Sequence, residues 1–376
     1  MTQNVTLIAT SAMGLEAVVA REVRDLGYDP TVENGKVIFE APLSAIPRCN
    51  LWLRVADRLK LVVGEFNAYS FDELFEKTKA LPWEKFIDEE GAFPVIGKSH
   101  QSKLYSVSDA QAIVKKAIVD RLKLKHGIAH RMPETGALHR VEVAILKDVA
   151  TLTIDTTGAG LHKRGYRIGQ GDAPLRETLA AALILLTNWK ADHTLFDPFC
   201  GSGTIPIEAA MIGQNIAPGF NREFASEDWK LIRQKLWDDA FEEAEDLANY
   251  DQPLDIIGSD IDHKLIDISK QNALEAGLGD LVTFKQMQAA DLSIKQPNGY
   301  IITNPPYGER MKDADYVHHL YETFGQVMKQ HPSWSVYVLT AYKKFEQAYG
   351  NKATKRRKLF NGFIETQYYQ YFGKWE

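Results

Sequence analysis

A chain of 376 residues is long enough for two domains or three, each with its own core. Hydrophobic content of 45% and charged content of 25% are those of an ordinary globular protein and exclude a disordered or low-complexity chain. A net charge of −6 looks wrong for a nucleic-acid binder, so the distribution of charge matters more than its sum. The opening Met1 to Thr6 has no basic stretch and no long apolar run, which predicts no secretory leader. The longest apolar run, Leu179 to Leu186, is too short to span a bilayer and reads as a buried helix. Cys49 and Cys200 make neither a disulfide framework nor a metal-type cluster, so a reducing, cytoplasmic compartment and no metal are expected.

In chain order, residues 1–69 read as a small α+β unit. Val5 to Ala9 predicts a strand, Gly14 to Leu26 a helix, and Lys36 to Glu40 a strand after the Asn34-Gly35 turn. A short helix over Leu43 to Cys49 and a strand over Arg58 to Phe66 follow, in an order that suggests a ferredoxin-like half-sheet. Residues 70–160 begin with a helix, Phe71 to Lys79, and an apolar stretch, Ala92 to Lys98. A helix from Asp109 to His126 with Ser108 as N-cap comes next, then strands over Arg140 to Lys147 and Val149 to Asp155.

The positive charge gathers in this second region. Between Gly97 and Arg131 stand eight Lys and Arg residues, among them Lys98, Lys103, Lys116 and Lys123, against Asp109 and Asp120, a local balance of about +6. A solvated helix face and a phosphate-binding surface both fit that charge.

Residues 161–376 alternate strand and helix. A helix opens near Pro174, and an insertion from Gln214 to Asp255 holds a helix over Trp229 to Ala248. Arg222, Phe224 and Trp229 of the insertion either close over a site or pack. Strands over Ile256 to Ser259, Val282 to Gln286, Tyr300 to Thr303 and Ser335 to Thr340 follow, with helices over His263 to Ala276 and Tyr316 to Gln330. Lys358 to Glu365 predicts a hairpin, because Asn361-Gly362 stands between alternating apolar runs. A mostly parallel sheet closed by an antiparallel hairpin is the expected architecture, and Arg356 and Arg357 at its edge are candidate phosphate contacts.

Two stretches carry chemistry. Leu195 to Thr204 reads as strand, Gly-rich turn and helix N-terminus, a setting in which backbone and ligand approach closely. A dinucleotide fingerprint would need a glycine where Pro206 stands. Gly299 to Gly308 is a second strand, ending in Asn304-Pro305-Pro306-Tyr307.

Together, D-P-F-C-G-S-G-T and N-P-P-Y resemble the S-adenosylmethionine site and catalytic loop of amino-methyltransferases, and the whole chain resembles THUMP-containing class I RNA methyltransferases of the 23S ribosomal RNA guanine-N2 (RlmL) type. That resemblance also rests on G-D-A-P-L-R-E-T-L-A-A, I-A-P-G-F-N-R-E-F and N-P-P-Y-G-E-R. It implies a class I (Rossmann-like) methyltransferase domain over 161–376 and a THUMP RNA-binding domain over 70–160, which grips RNA by phosphates and shape. RNA, rRNA ahead of tRNA, is the implied partner, with no membrane and no metal.

The resemblance places the cofactor's amino-acid end at Asp197, with Pro198, Cys200, Gly201, Ser202, Gly203 and Thr204 around the methionine part. Asp260 would take the ribose hydroxyls beside Ile261, and Asp291 the adenine amine beside Leu292. Asp262 reads as the N-cap of the following helix, and a turn-capping role is an alternative for Asp291. Cys200 lies inside the cofactor turn, so it is not expected to be a nucleophile. Asn304 and the Pro305 carbonyl would accept the two hydrogens of an exocyclic amine, Pro306 would stiffen the loop, and Tyr307 would stack on an extruded base. The rival readings are a tRNA guanine-N2 enzyme, an adenine-N6 methyltransferase and a non-catalytic RNA-binding factor. Enzymes of this type fused to a further methyltransferase continue beyond the matched region, whereas this sequence ends at Glu376.

Overall fold

A computed structural model of the chain describes residues 4–169, 171, 174–307 and 314–374. They form two compact units, one of residues 1–11, 19–161 and 223–243, the other of residues 12–18, 162–222 and 244–376.

The first unit is built on one seven-stranded sheet. Its elements are β1 (Asn4–Thr10), α1 (Glu16–Asp25), β2 (Pro30–Glu33), β3 (Lys36–Pro42), α2 (Ala45–Trp52), β4 (Arg58–Asn67), α3 (Phe71–Ala80), β5 (Val95–His100), α4 (Val107–His126), β6 (Val141–Leu146) and β7 (Val149–Asp155). The strand order is β2-β3-β1-β4-β7-β6-β5, with only β5 and β6 parallel. Because β4 pairs with β7 along its length, the 69/70 division expected from sequence falls inside a continuous sheet. β2 was not expected from sequence: it is short and solvent-facing, with no buried residue to give it a hydrophobic period.

In α4 the buried residues Ala110, Val114, Ala117, Ile118 and Leu122 form one stripe, which leaves the basic residues on the other face. The helix starts two residues earlier than expected. Ser106 is its N-cap, and Ser108 stands in the first turn.

The second unit holds α5 (Glu177–Leu185), β8 (Leu195–Asp197), α6 (Thr204–Gly213), β9 (Ile256–Asp260), α8 (His263–Glu275), β10 (Val282–Gln286), β11 (Gly299–Thr303), α9 (Ala314–Met328), β12 (Trp334–Thr340), α10 (Phe345–Tyr349), β13 (Lys355–Asn361) and β14 (Ile364–Tyr371). Between α6 and β9 lies α7 (Gln234–Leu247). The sheet runs β10-β9-β8-β11-β12-β14-β13, parallel through β12 and antiparallel at the closing hairpin. This is the expected α/β class I arrangement. The central strands β11 and β12 are buried at every position, as a parallel strand covered on both faces requires. The order reverses at β8, so the crevice between the carboxyl ends of β8 and β11 is where such a sheet binds ligands.

Three sequence expectations shift. α5 opens at Glu177, so Pro174 precedes the helix rather than starting it, and Asp172 and Ala173 lie outside the described residues. The insertion helix begins at Gln234, after a single turn over Ala225–Asp228. Asn361 pairs with Ile364, so the hairpin turn is centred on Gly362-Phe363 instead of Asn361-Gly362. Among the described residues no helix is long and apolar enough to cross a membrane.

Candidate active site

A cavity of about 1180 Å³ in the second unit lies at the carboxyl ends of β8, β9 and β11. The Gly-rich turn forms its floor. Gly203 caps α6 at φ +84, and a Cβ there would stand 2.9 Å from Ser269 Cβ and 3.0 Å from the Phe284 ring, so only glycine fits. The turn's amides are less free than sequence suggests. Cys200 N–H donates to the Ser259 carbonyl (2.9 Å), Gly201 N–H to Asp260 Oδ2 (3.0 Å) and Gly203 N–H to the Cys200 carbonyl (2.8 Å).

Arg167, which no sequence motif marks, braces this turn. Its guanidinium donates to Glu177 (2.7 Å), to Ser202 Oγ (3.1 Å), to Thr204 Oγ1 (3.0 Å) and to the Leu175 carbonyl (2.9 Å). The same segment is anchored by Arg164, whose fully buried guanidinium meets Glu208 of α6 at 3.3 Å, and by the Tyr166 hydroxyl, which donates to Glu208 (3.1 Å). From α8, the Asn272 amide donates to the Ser202 carbonyl (3.0 Å) while its oxygen accepts from the Ile168 and Gly169 amides. The only sequence signal for Arg167 was its place before the helix opening.

Three aspartates line the cavity, Asp197, Asp260 and Asp262. Asp197 is buried, and its Oδ1 accepts from the Thr303 hydroxyl (2.6 Å) and the Phe199 amide (3.1 Å). Burial dominates over those bonds and pushes its pKa up to about 7. Asp260 accepts the Gly201 amide on one oxygen and the Asp262 amide (3.0 Å) on the other, and burial raises its pKa too. The carboxylate keeps acceptor capacity for a ligand hydroxyl. Asp262 caps α8 by accepting from the Lys264 amide (2.9 Å), as expected.

Pro198, Cys200, Gly201, Ser202, Thr204 and Ile261 line the cavity, and Gly203 shapes it from behind. Burial drives the Cys200 thiol well above its ordinary pKa, which fits an inert wall residue. Asp291 does not reach the lining. It is exposed at the end of the turn Ala289–Asp291, while Leu292 is packed in the core with Phe196, Ile301 and Val317. Gln288, Ala289 and Ala290 line the cavity at that point instead.

The opposite wall is the loop Asn304-Pro305-Pro306-Tyr307. The Tyr307 hydroxyl donates to Asn304 Oδ1, and the Tyr321 hydroxyl of α9 donates to the Pro306 carbonyl (2.7 Å) and bonds Thr340 Oγ1 (2.9 Å). Residues 308–313 lie outside the description. Tyr316 and His319 of α9 and Asn361, Gly362 and Ile364 of the hairpin complete the mouth.

The basic residues divide. Lys98 is paired with Glu142 (3.0 Å), which also takes Lys60, so its charge is partly spent inside the fold. Lys103 lies over the Tyr69 ring at 5.0 Å and Lys116 over Phe75 at 5.7 Å, while Lys123 is half-buried. Arg356 meets Glu346 at 3.3 Å and borders a polar hollow of about 690 Å³ with Lys343, and Arg357 is half-buried. In the insertion, Trp229 stacks on His139 (4.7 Å) and Phe224 on Trp237 (5.3 Å) within the first unit, so both are packing residues; Arg222 donates to the Lys163 carbonyl (2.9 Å).

Three family models match: the RlmL ferredoxin-like domain over residues 6–60, the THUMP domain over 68–155, and the RMKL-like methyltransferase domain over 164–370. The chain belongs to the RMKL-like methyltransferase family. It is 61% identical over 98% of its length to "Putative RNA methyltransferase YpsC" of Bacillus subtilis (strain 168), covering 96% of that protein. It is 33% identical over 96% of its length to the ribosomal RNA large subunit methyltransferase K/L of Shewanella sp. (strain W3-18-1), of which it spans about half, 52%. Among solved structures, SMU.472 complexed with SAH is 46% identical with a TM-score of 0.96, each chain covered in full. A second, described as "a predicted N6-adenine-specific DNA methylase from Listeria monocytogenes str. 4b F2365", is 63% identical with a TM-score of 0.96, covering 99% of this chain and 97% of that one.

The cofactor of this family member is S-adenosylmethionine, and the cavity fits it. A buried carboxylate held near neutrality, Asp197, gains from a ligand ammonium, Asp260 has acceptor capacity left for hydroxyls, and Ile261 offers an exposed apolar edge beside it.

Proposed function

We propose that this methyltransferase acts on RNA and methylates the exocyclic N2 amine of a guanine, with 23S ribosomal RNA as its substrate. The observation that carries the reading is the Asn304-Pro305-Pro306-Tyr307 loop, which shares one cavity with the Gly-rich turn, Asp197 and Asp260. The THUMP match gives the chain an RNA-gripping module, and the large-subunit enzymes it resembles along half their length favour ribosomal RNA. Within this reading residues 161–376 do the chemistry, while 1–69 and 70–160 hold the substrate.

S-adenosylmethionine supplies an electrophilic methyl group. Asp197 holds its amino-acid end and Asp260 its ribose, on a floor fixed by Arg167 and Asn272. The amine to be methylated is a weak nucleophile, because its lone pair is delocalised into the purine. Asn304 Oδ1 and the Pro305 carbonyl accept its two hydrogens, which turns the lone pair out of conjugation and toward the methyl group. Asn304 Oδ1 already accepts from the Tyr307 hydroxyl, and its second lone pair serves the amine. The Tyr307 ring stacks on the extruded base. Lys103, Lys116, Lys123, Arg356 and Arg357 serve as phosphate contacts, and Lys98 contributes less because Glu142 neutralises it.

The test is nucleoside mass spectrometry of ribosomal RNA, tRNA and DNA from cells with and without the gene. Loss of one N2-methylguanosine from large-subunit RNA is expected. Loss from tRNA would keep the chemistry and move the substrate, and loss of N6-methyladenine from DNA would overturn the reading.

A further inference from the structure

The closing hairpin presents an aromatic ring that the fold does not use. The turn is centred on Gly362-Phe363, with Gly362 at φ +62 in the first central position, the form that admits any residue in the second. Had the turn been centred on Asn361-Gly362, Phe363 would stand in the strand; one residue of register puts it at the tip. There its side chain is fully exposed, at 106% of the reference area.

A single exposed phenylalanine needs no explanation by itself. Three neighbours give this one a setting. Asn361, Gly362 and Ile364 on either side line the catalytic cavity, so the tip is the cavity's rim. Ile364 next to it is also exposed, as is Tyr316, which lines the same cavity. The strand that leads to the tip, β13, opens with four consecutive cations, Lys355-Arg356-Arg357-Lys358, of which Arg356 pairs with Glu346 (3.3 Å) and Lys358 with Glu365 (2.6 Å). An apolar ring at the end of a cation-rich strand, at the edge of a cavity of about 1180 Å³, fits a nucleic-acid strand better than a protein surface.

We propose that Phe363 inserts into the base stack of the substrate RNA beside the target nucleotide and takes the place the extruded base leaves. This rests on the RNA reading above. Base extrusion exposes the faces of two neighbouring bases, and an aromatic face that covers one of them shifts the equilibrium toward the extruded state. The cations of β13 hold the backbone while Phe363 makes no ionic contact. Stacking therefore changes turnover without changing how affinity depends on salt.

The test uses the full-length protein, total RNA from cells lacking it, and the variants Phe363→Ala and Phe363→Trp. For Phe363→Ala, kcat/KM for methyl transfer to RNA is expected to fall tenfold or more, with SAH affinity and melting temperature unchanged. Phe363→Trp is expected to stay within about threefold of the unsubstituted protein. The salt slope of RNA binding should match the unsubstituted protein in both. Wild-type kcat/KM in Phe363→Ala, or equal losses in the alanine and tryptophan variants, would overturn the insertion role and leave the RNA reading standing. No transfer to RNA by the unsubstituted protein would remove both.

Discussion

The two walls of the catalytic cavity are built differently. On the cofactor side Arg167 binds four partners, Asn272 braces the turn and the segment before it, and both oxygens of Asp260 accept backbone amides. On the opposite side the loop is held by the Tyr307 hydroxyl on Asn304 and the Tyr321 hydroxyl on the Pro306 carbonyl. The difference suits their tasks. A cofactor of fixed shape is met by a surface whose polar groups are pinned in advance, whereas in the proposed reaction the loop completes its bonding with the substrate amine.

The sharpest way to break this comparison is to remove the one side chain proposed to act on the amine. Asn304→Ala should reduce methyl transfer by about 10²- to 10³-fold while SAH affinity, measured by calorimetry, stays within about twofold. A parallel loss of SAH binding would mean the walls are not separate. Next in size is Gly203→Ala on the pinned side. A Cβ close to Ser269 and Phe284 at φ +84 should cost about 2–4 kcal/mol in urea unfolding and lower SAH affinity with it.

The third expectation concerns pH. Burial pushes the Asp197 pKa up to about 7, and its proposed contact with the cofactor ammonium needs the ionised form, so SAH affinity should fall about tenfold from pH 8 to pH 6. Its folded pKa lies above the unfolded value, so the buried carboxylate favours the fold at low pH and costs stability as pH rises through 7. Asp197→Asn should therefore lose both cofactor affinity and its pH dependence, while the cofactor-free protein at pH 8 melts no lower than the parent. The smallest effect belongs to Tyr321→Phe. Deleting the donor to the Pro306 carbonyl should lower kcat about five- to tenfold with SAH affinity unchanged.

What the sequence made legible follows the same division. The strand, turn and helix at Leu195 to Thr204 and the Asn-Pro-Pro-Tyr loop are local patterns, and the structure puts both on one cavity because parallel strands end together. Arg167 was not legible, since its role comes from contacts with residues 8 to 37 positions away that no spacing rule connects. Asp291, which lies outside the cavity lining, is a related case. A carboxylate after the third strand matched the family position, but the turn at Ala289–Asp291 directs Gln288 to Ala290 to the cavity and leaves Asp291 in solvent. The basic stretch read as +6 overlooked Glu84, Glu134 and Glu142, distant in sequence, which pair with Arg121, Lys115 and Lys98.

The central claim is that this cavity methylates guanine N2 in RNA, and the most direct measurement is transfer of labelled methyl from S-adenosylmethionine to unmodified 23S ribosomal RNA by the purified protein, with nucleoside analysis of the product and Asn304→Ala alongside. The account predicts label in N2-methylguanosine, lost in the variant. Label in N6-methyladenosine, or transfer that survives Asn304→Ala, would contradict it.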